Sequence, residues 1–287
     1  LLIGATVVSI GTTLPEVMVS AQGAMAGSGG MAYGNAIGSI ICNTSLIAAL
    51  TIAIKPSKVE RKTLVIPVAF FFVAAAFYVG IAYTTGMFSR AVGFVLLAGF
   101  VVYITYTLLE MKKAPVAVEP HAEEEKEEDN SSMAKEIIFL VLGAILIAFG
   151  ARLLVDNGTA IAEALGVPDT VIALTFVALG TSLPELVTAI TSLMKGHGAL
   201  SLGNIIGANL FNLVLVSGVS VVISPFPVPA ESTIAGMPAS LVMDIPVMLA
   251  VMLILTVPAL VREKLSRVQG ILLLCIYAAF CITQFVM

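Results

Sequence analysis

Charge is what this sequence has least of. Asp, Glu, Lys and Arg make up 11% of its 287 residues, against 59% hydrophobic residues and a mean hydropathy of +1.07. So few polar side chains cannot cover a soluble globule of this length, which leaves a polytopic membrane protein. There is no basic footprint on which nucleic-acid binding could rest. Cys42, Cys275 and Cys281 stand in apolar segments without metal-ligand spacing and read as small buried residues. His121 and His197 are lone loop histidines. The net charge of −4 has a local source, because Glu119, Glu123, Glu124, Glu125, Glu127, Glu128 and Asp129 crowd one stretch that reads as a solvated acidic linker.

What the chain has instead is a polar signature, present twice, inside otherwise apolar sequence. GTTLPE ends at Glu16 and GTSLPE at Glu185; GNAIGSIICN ends at Asn43 and GNIIGANLFN at Asn212. Glu16 to Glu185 and Asn43 to Asn212 are both displacements of 169 residues, so the two copies align without a gap. Two halves that fold alike and face each other are one way in which transporters build a central ion site.

With about 20 apolar residues as the length of a membrane span, nine helices are expected, near 1–23, 32–54, 63–83, 88–110, 136–155, 169–194, 200–224, 239–261 and 267–287. Leu1 aligns with Thr170, yet one more span, 136–155, precedes the second copy. By symmetry the first copy is expected to have such a helix too. The chain therefore reads as a ten-helix protein, five per half, without its first helix. The expected organisation is a first half over 1–110, an acidic linker over 111–135 and a second half over 136–287. Five spans per half put the halves in opposite membrane orientations. If the linker is cytoplasmic, Lys55, Lys58, Arg61, Lys62, Lys112, Lys113, Lys126, Lys135, Lys195, Arg262, Lys264 and Arg267 fall on its side, and Arg90 and Arg152 on the other. That asymmetry obeys the positive-inside rule.

The chemistry sits in the glutamate segments. A charged side chain at the centre of a lone membrane helix costs about 2.5–3.5 kcal/mol on insertion scales, so a matched pair calls for a neutralising partner, and a divalent cation supplies one. Pro15 and Pro184 remove the amide donors that the Gly11 and Gly180 carbonyls need, loosening each helix just before its glutamate. Freed carbonyls, hydroxyls and one carboxylate per copy form an all-oxygen shell suited to calcium, which takes six to eight oxygens. Gly34 with Gly38, and Gly203 with Gly207, are small-residue pairs that let helices approach closely. Ser39 and Asn43 share one helix face, as do Ala208 and Asn212. Asn35 and Asn204 follow glycine near the expected start of their helices, where capping is the expected role. Asp244 is expected to be a satisfied interior acid.

These motifs resemble those of the calcium/cation antiporters, and within them the prokaryotic-type sodium/calcium exchangers. The resemblance extends over every span present. It implies an all-α fold of two inverted five-helix repeats, with the second, third, seventh and eighth helices as core and the first and sixth sliding across it. It also implies that Glu16 and Glu185 bind calcium and sodium alternately, with backbone oxygens near Thr12 and Thr181 completing the calcium site. Ser9 and Ala178 match positions whose backbone oxygens serve flanking sodium sites, and Thr13, Ser182, Ser39, Asn43 and Asn212 match side-chain positions around them. Ala208 stands where many relatives have serine, which counts against one flanking site. Asn212 stands where potassium-dependent relatives have aspartate, which counts against potassium co-transport.

The expected function is thus antiport of calcium against sodium across a membrane, with the prokaryotic cell membrane as the expected location. The expected partners are the two ions and the lipid bilayer; no cofactor and no nucleic acid are expected. Proton/calcium antiport is the alternative, although an acidic residue after GN, expected of proton-coupled relatives, is missing at Ala36 and Ile205. An intramembrane acid–base enzyme is a third class, and the GxGD motif of aspartate dyads does not occur. Inverted repeats around broken helices favour alternating access over a channel.

Overall fold

A computed structural model describes residues 9, 11–56, 58–113, 164–194 and 198–286, with scattered positions between 142 and 161. Residues 114–135 of the expected acidic linker, His121 among them, His197 and most of the expected span 136–155 lie outside the described residues.

The fold is that of an all-α multi-pass membrane protein. In the first copy, α1 covers Leu14–Met25, α2 Gly29–Ile54, α3 Arg61–Thr84 and α4 Arg90–Lys113. In the second, α5 covers Asp169–Thr181 and α6 Leu183–Met194, a pair of helices bent by 44° at the break between them. After them, α7 begins at Gly198 and runs to Ile223, followed by α8 over Ser240–Arg262 and α9 over Arg267–Val286. The bend falls at Ser182, where Pro184 has no amide to offer the Gly180 carbonyl. Among the described residues six of these helices are long and apolar enough to cross a membrane singly, or seven spans are reached if the bent pair counts as one.

Burial sorts the spans into layers. The apolar stretches of α2 and α7 are 78% and 83% buried, whereas those of α3, α4, α8 and α9 are 33%, 28%, 44% and 28% buried. The helices carrying the GN motifs are therefore the centre. The outer helices turn large apolar side chains such as Val73, Phe94, Val261, Val268 and Ile282 outward, where lipid covers them.

The second copy repeats the first with inverted orientation, and contacts between the copies come in matched pairs. Lys58, just before α3, bridges Lys264, between α8 and α9. Its counterpart is β1 (Met87–Phe88), between α3 and α4, paired with β2 (Phe226–Pro227), between α7 and α8. Arg267 Nε donates to the Ala53 carbonyl at 2.9 Å, and Arg90 Nε to the Val222 carbonyl at 3.2 Å. Ala53 and Val222 are again 169 residues apart. Each arginine thus caps the last turn of the other copy's central helix, satisfying a carbonyl that the helix end leaves unpaired and meeting the negative end of its dipole. Lys58 and Lys264 share one end of the molecule, while Arg90 and the β1–β2 pair mark the other, as the distribution of basic loops predicts.

The small-residue pairs do their work between copies. A Cβ on Gly38 would lie 2.5 Å from the Leu174 carbonyl oxygen and 2.8 Å from the Ala178 Cβ, so α2 touches α5 backbone to backbone. On Gly207 it would lie 2.6 Å from Ser9 Oγ, a side-chain atom. Gly38→Ala is therefore expected to cost about 1–3 kcal/mol, the usual range for overpacking a core, and Gly207→Ala less. Thermal unfolding in detergent checks the order.

The central helices also carry what hydrophobic periodicity does not reveal. Wider π-helical turns occupy Asn43–Ala48 in α2 and Asn212–Val216 in α7, each beginning at the asparagine that ends the second motif. Further π turns cover Ala173–Val177 in α5 and Ser240–Asp244 in α8. Such single-turn widenings break the regular i to i+4 ladder and re-aim side chains, frequently at functional sites.

Candidate functional site

The two glutamates lie at equivalent places, each in the first turn of the helix that follows a break. Both are wholly buried, and their carboxylates are close enough to interact electrostatically. Among the described residues no lysine or arginine is buried, so no side chain supplies the missing positive charge. Ser182 Oγ donates to Glu16 Oε1 at 3.2 Å, crossing from one copy to the other. The Thr12 hydroxyl neighbours Glu185 but lacks hydrogen-bond geometry to it, and donates instead to the Ser9 carbonyl at 3.4 Å.

Nine buried side-chain nitrogen or oxygen atoms among the described residues have no hydrogen-bond partner, and seven of them belong to Glu16, Glu185, Asn43 and Asn212. They are Glu16 Oε2, both Glu185 oxygens and both amide atoms of each asparagine. An unpaired buried polar atom costs about 1–3 kcal/mol, and more when charged. A concentration of seven on four duplicated residues is therefore a place built for something else to occupy. The set is rich in oxygen, which favours a hard cation. Among the described residues no three histidine, cysteine, aspartate or glutamate side chains converge, so an ion here would draw on amide, hydroxyl and backbone oxygens beside the two carboxylates.

The other expected site residues surround this cluster. Thr13, Ser39, Thr181 and Ser182 are buried, and Thr12 is half-buried. Ser39 Oγ lies 3.4 Å from Thr181 Oγ1, joining the copies. The Ser9 carbonyl accepts from Thr13 Oγ1 at 2.7 Å and from the Thr13 amide at 3.1 Å. The Ala178 carbonyl accepts from the Ser182 amide at 3.1 Å, and Thr181 Oγ1 lies 3.2 Å from it, with Asn35 Oδ1 at 3.1 Å as the nearer acceptor for its one proton. Both backbone oxygens expected beside sodium are thus engaged by protein donors in this closed arrangement.

Asn35 and Asn204 do not cap helices. Ser28 caps α2, its Oγ accepting from the Met31 amide, and Asn35 sits two turns further in. Asn35 Nδ2 donates to the Glu16 carbonyl and to Ser20 Oγ, and its Oδ1 accepts from Thr181. Asn204 accepts from Ser9 Oγ through its carbonyl at 2.9 Å and through Oδ1 at 2.7 Å. The expectation failed because α2 begins at Gly29, three residues earlier than its apolar run suggested.

Sequence reasoning also passed over Asn209, whose Nδ2 donates to Thr44 Oγ1 at 2.7 Å while its buried Oδ1 has no partner. Its position, one turn before Asn212 on the same face, was the available signal. The repeat argument missed it because Ile40 stands at the equivalent place in the first copy. Asp244 is buried and satisfied, accepting from Gln284 Nε2 at 2.6 Å.

Comparison with known proteins shows the family. The family model described as "Sodium/calcium exchanger protein" matches residues 1–109 and 135–286. An uncharacterized membrane protein of Methanocaldococcus jannaschii is 36% identical over 282 residues, covering 96% of this chain and 83% of that protein. The sodium/calcium exchanger MaX1 of Methanosarcina acetivorans is 32% identical over 317 residues, covering 99% of this chain and 88% of that one. The solved structure of the sodium-calcium exchanger NCX_Mj, soaked with sodium and strontium, superimposes with a TM-score of 0.69 at 32% identity, covering 97% of this chain and 84% of that one. This chain belongs to the sodium/calcium exchanger protein family and is a cation antiporter of the membrane.

Proposed function

We propose that the protein exchanges calcium for sodium, in a prokaryotic cell membrane, by alternating access at the site between Glu16 and Glu185. The observation that carries this reading is the set of unpaired buried atoms on Glu16, Glu185, Asn43 and Asn212. In this reading the two carboxylates give a formal charge of −2, which one calcium ion neutralises. The amide oxygens of Asn43 and Asn212 and backbone oxygens near Thr12 and Thr181 complete its shell. Sodium occupies the same carboxylates together with pockets flanked by Ser9, Thr13, Ser39, Ala178 and Ser182. Glu16, Glu185, Asn43 and Asn212 are each at 0% exposure, as suits a site held between inverted halves that open to one side at a time. Relatives named as sodium/calcium exchangers support sodium as the counter-ion.

The test is calcium flux in reconstituted vesicles. Calcium uptake is expected into sodium-loaded vesicles diluted into sodium-free medium, and not into vesicles that carry only a pH gradient. Equal uptake under a pH gradient without sodium assigns the protein to proton coupling instead.

A further inference from the structure

We infer that Asn35 is a positioning residue that holds Glu16 in a closed hydrogen-bonded ring, so that two glutamates equivalent in sequence play unequal parts. This inference rests on the proposed ion site. Asn35 Nδ2 donates to the Glu16 backbone carbonyl at 3.2 Å, and Ser182 Oγ donates to the Glu16 carboxylate at 3.2 Å. The residue before Ser182, Thr181, donates from Oγ1 to Asn35 Oδ1 at 3.1 Å. Asn35, Glu16, Ser182 and Thr181 thereby close a ring that fastens α1 and the α5–α6 break to the central helix α2. Asn35 and Ser182 are wholly buried and Thr181 is 1% exposed, so no water competes for these bonds. The amide orientation is set chemically, because the Glu16 carbonyl can only accept and must face the NH₂ group. Ser20 Oγ, 2.8 Å from the same nitrogen, takes its second proton.

Among the described residues no equivalent ring holds Glu185. Asn204, the counterpart of Asn35, has its Oδ1 occupied by Ser9, a hydroxyl that the second copy lacks because Ala178 stands in its place. Both Glu185 oxygens are unpaired, whereas Glu16 has one of its two engaged. Glu16 is therefore the pre-organised ligand, and Glu185 the one that adjusts when the ion arrives. Losing the ring leaves the ligands in place but makes ion binding bear the cost of ordering Glu16. The expected signature is weaker affinity with the maximal rate largely kept.

The test compares Asn35→Ala, Thr181→Val and Thr181→Ser with the unaltered full chain in vesicles, reading half-saturating calcium, maximal rate and thermal unfolding. Asn35→Ala and Thr181→Val are expected to raise half-saturating calcium on the order of tenfold, the size of one lost buried hydrogen bond with a partner left unpaired. Maximal rate should change by less than about threefold, and Thr181→Ser, which keeps the hydroxyl, should recover the affinity. Thr181→Val preserves side-chain shape and keeps the test decisive if Asn35→Ala does not fold. Unchanged half-saturation with a lower maximal rate and lower unfolding temperature makes the ring a packing strut and overturns the inference, as does equal behaviour of Thr181→Val and Thr181→Ser. Glu16→Gln, measured alongside, separates the two levels. Full exchange by that variant overturns the ion-site reading itself, whereas loss of exchange with a normal Thr181→Val overturns only the ring.

Discussion

Glu185→Gln is expected to stop calcium exchange while leaving folded protein in the membrane, and Glu16→Gln is expected to do the same. Each substitution keeps the shape of the side chain and removes one of the two charges that the proposed reading sets around a divalent ion. Removing one partner of a buried charge pair typically costs about 3–5 kcal/mol, and every 1.4 kcal/mol is about tenfold in affinity. The predicted loss of calcium affinity is therefore about two to three and a half orders of magnitude, beyond what flux measurements recover by raising calcium. Stability should move the other way or not at all, because without an ion each carboxylate is a buried group with an unpaired oxygen. Unfolding temperature measured in a chelator should accordingly be equal or higher in the Gln variants. A misfolding explanation predicts a lower one. Asn43→Ala and Asn212→Ala remove an amide and no charge. A neutral hydrogen-bonding group contributes about 0.5–1.5 kcal/mol, so these variants should transport with up to about tenfold weaker affinity. Normal calcium exchange by Glu185→Gln would sink the shared-carboxylate site.

The duplicated motifs made the centre of this protein legible before any coordinates, for a physical reason. Buried polar groups in a membrane are costly, so they survive where they serve a site, and their duplication marks two copies of one element. The same pattern set the order of spans, the break at Pro184 and the sorting of loops, with Lys58 and Lys264 at one end and Arg90 at the other. What was not legible depends on registration between the copies. Nothing local distinguishes a cap from Asn35, since its partners Glu16, Ser20 and Thr181 come from other helices. Arg90 and Arg267 read as topology signals, and their second role as caps on α7 and α2 needs the inverted packing to bring them there. The π turns at Asn43 and Asn212 are equally hidden, because one extra residue in a turn barely disturbs an apolar run.

The charge of the proposed site leads to the second large effect, a dependence of exchange on membrane potential. In the proposed reading the site has a formal charge of −2, so one calcium would leave it neutral, and a sodium-loaded form that also filled the flanking pockets would carry more than two positive charges. Exchange then moves net charge in the direction of sodium. Calcium uptake into sodium-loaded vesicles is expected to quicken when the interior is made positive and to slow when it is made negative. One elementary charge against 100 mV is about 2.3 kcal/mol, which is a factor of about 50 in the calcium ratio reached at equilibrium. Voltage-independent uptake would mean two sodium ions per calcium and empty flanking pockets. The pockets are not equivalent, because Ser39 places a hydroxyl 3.4 Å from Thr181 while its counterpart Ala208 has none to offer. Ala208→Ser should therefore lower the sodium concentration needed for half-maximal exchange, or steepen its dependence on sodium, with little change in calcium affinity. Potassium should not be required in either chain, since Asn212 supplies an amide and no third carboxylate. A potassium requirement, or a shift in calcium affinity from Ala208→Ser equal to the shift in sodium, would show that the two ions do not divide the site between shared carboxylates and separate flanks.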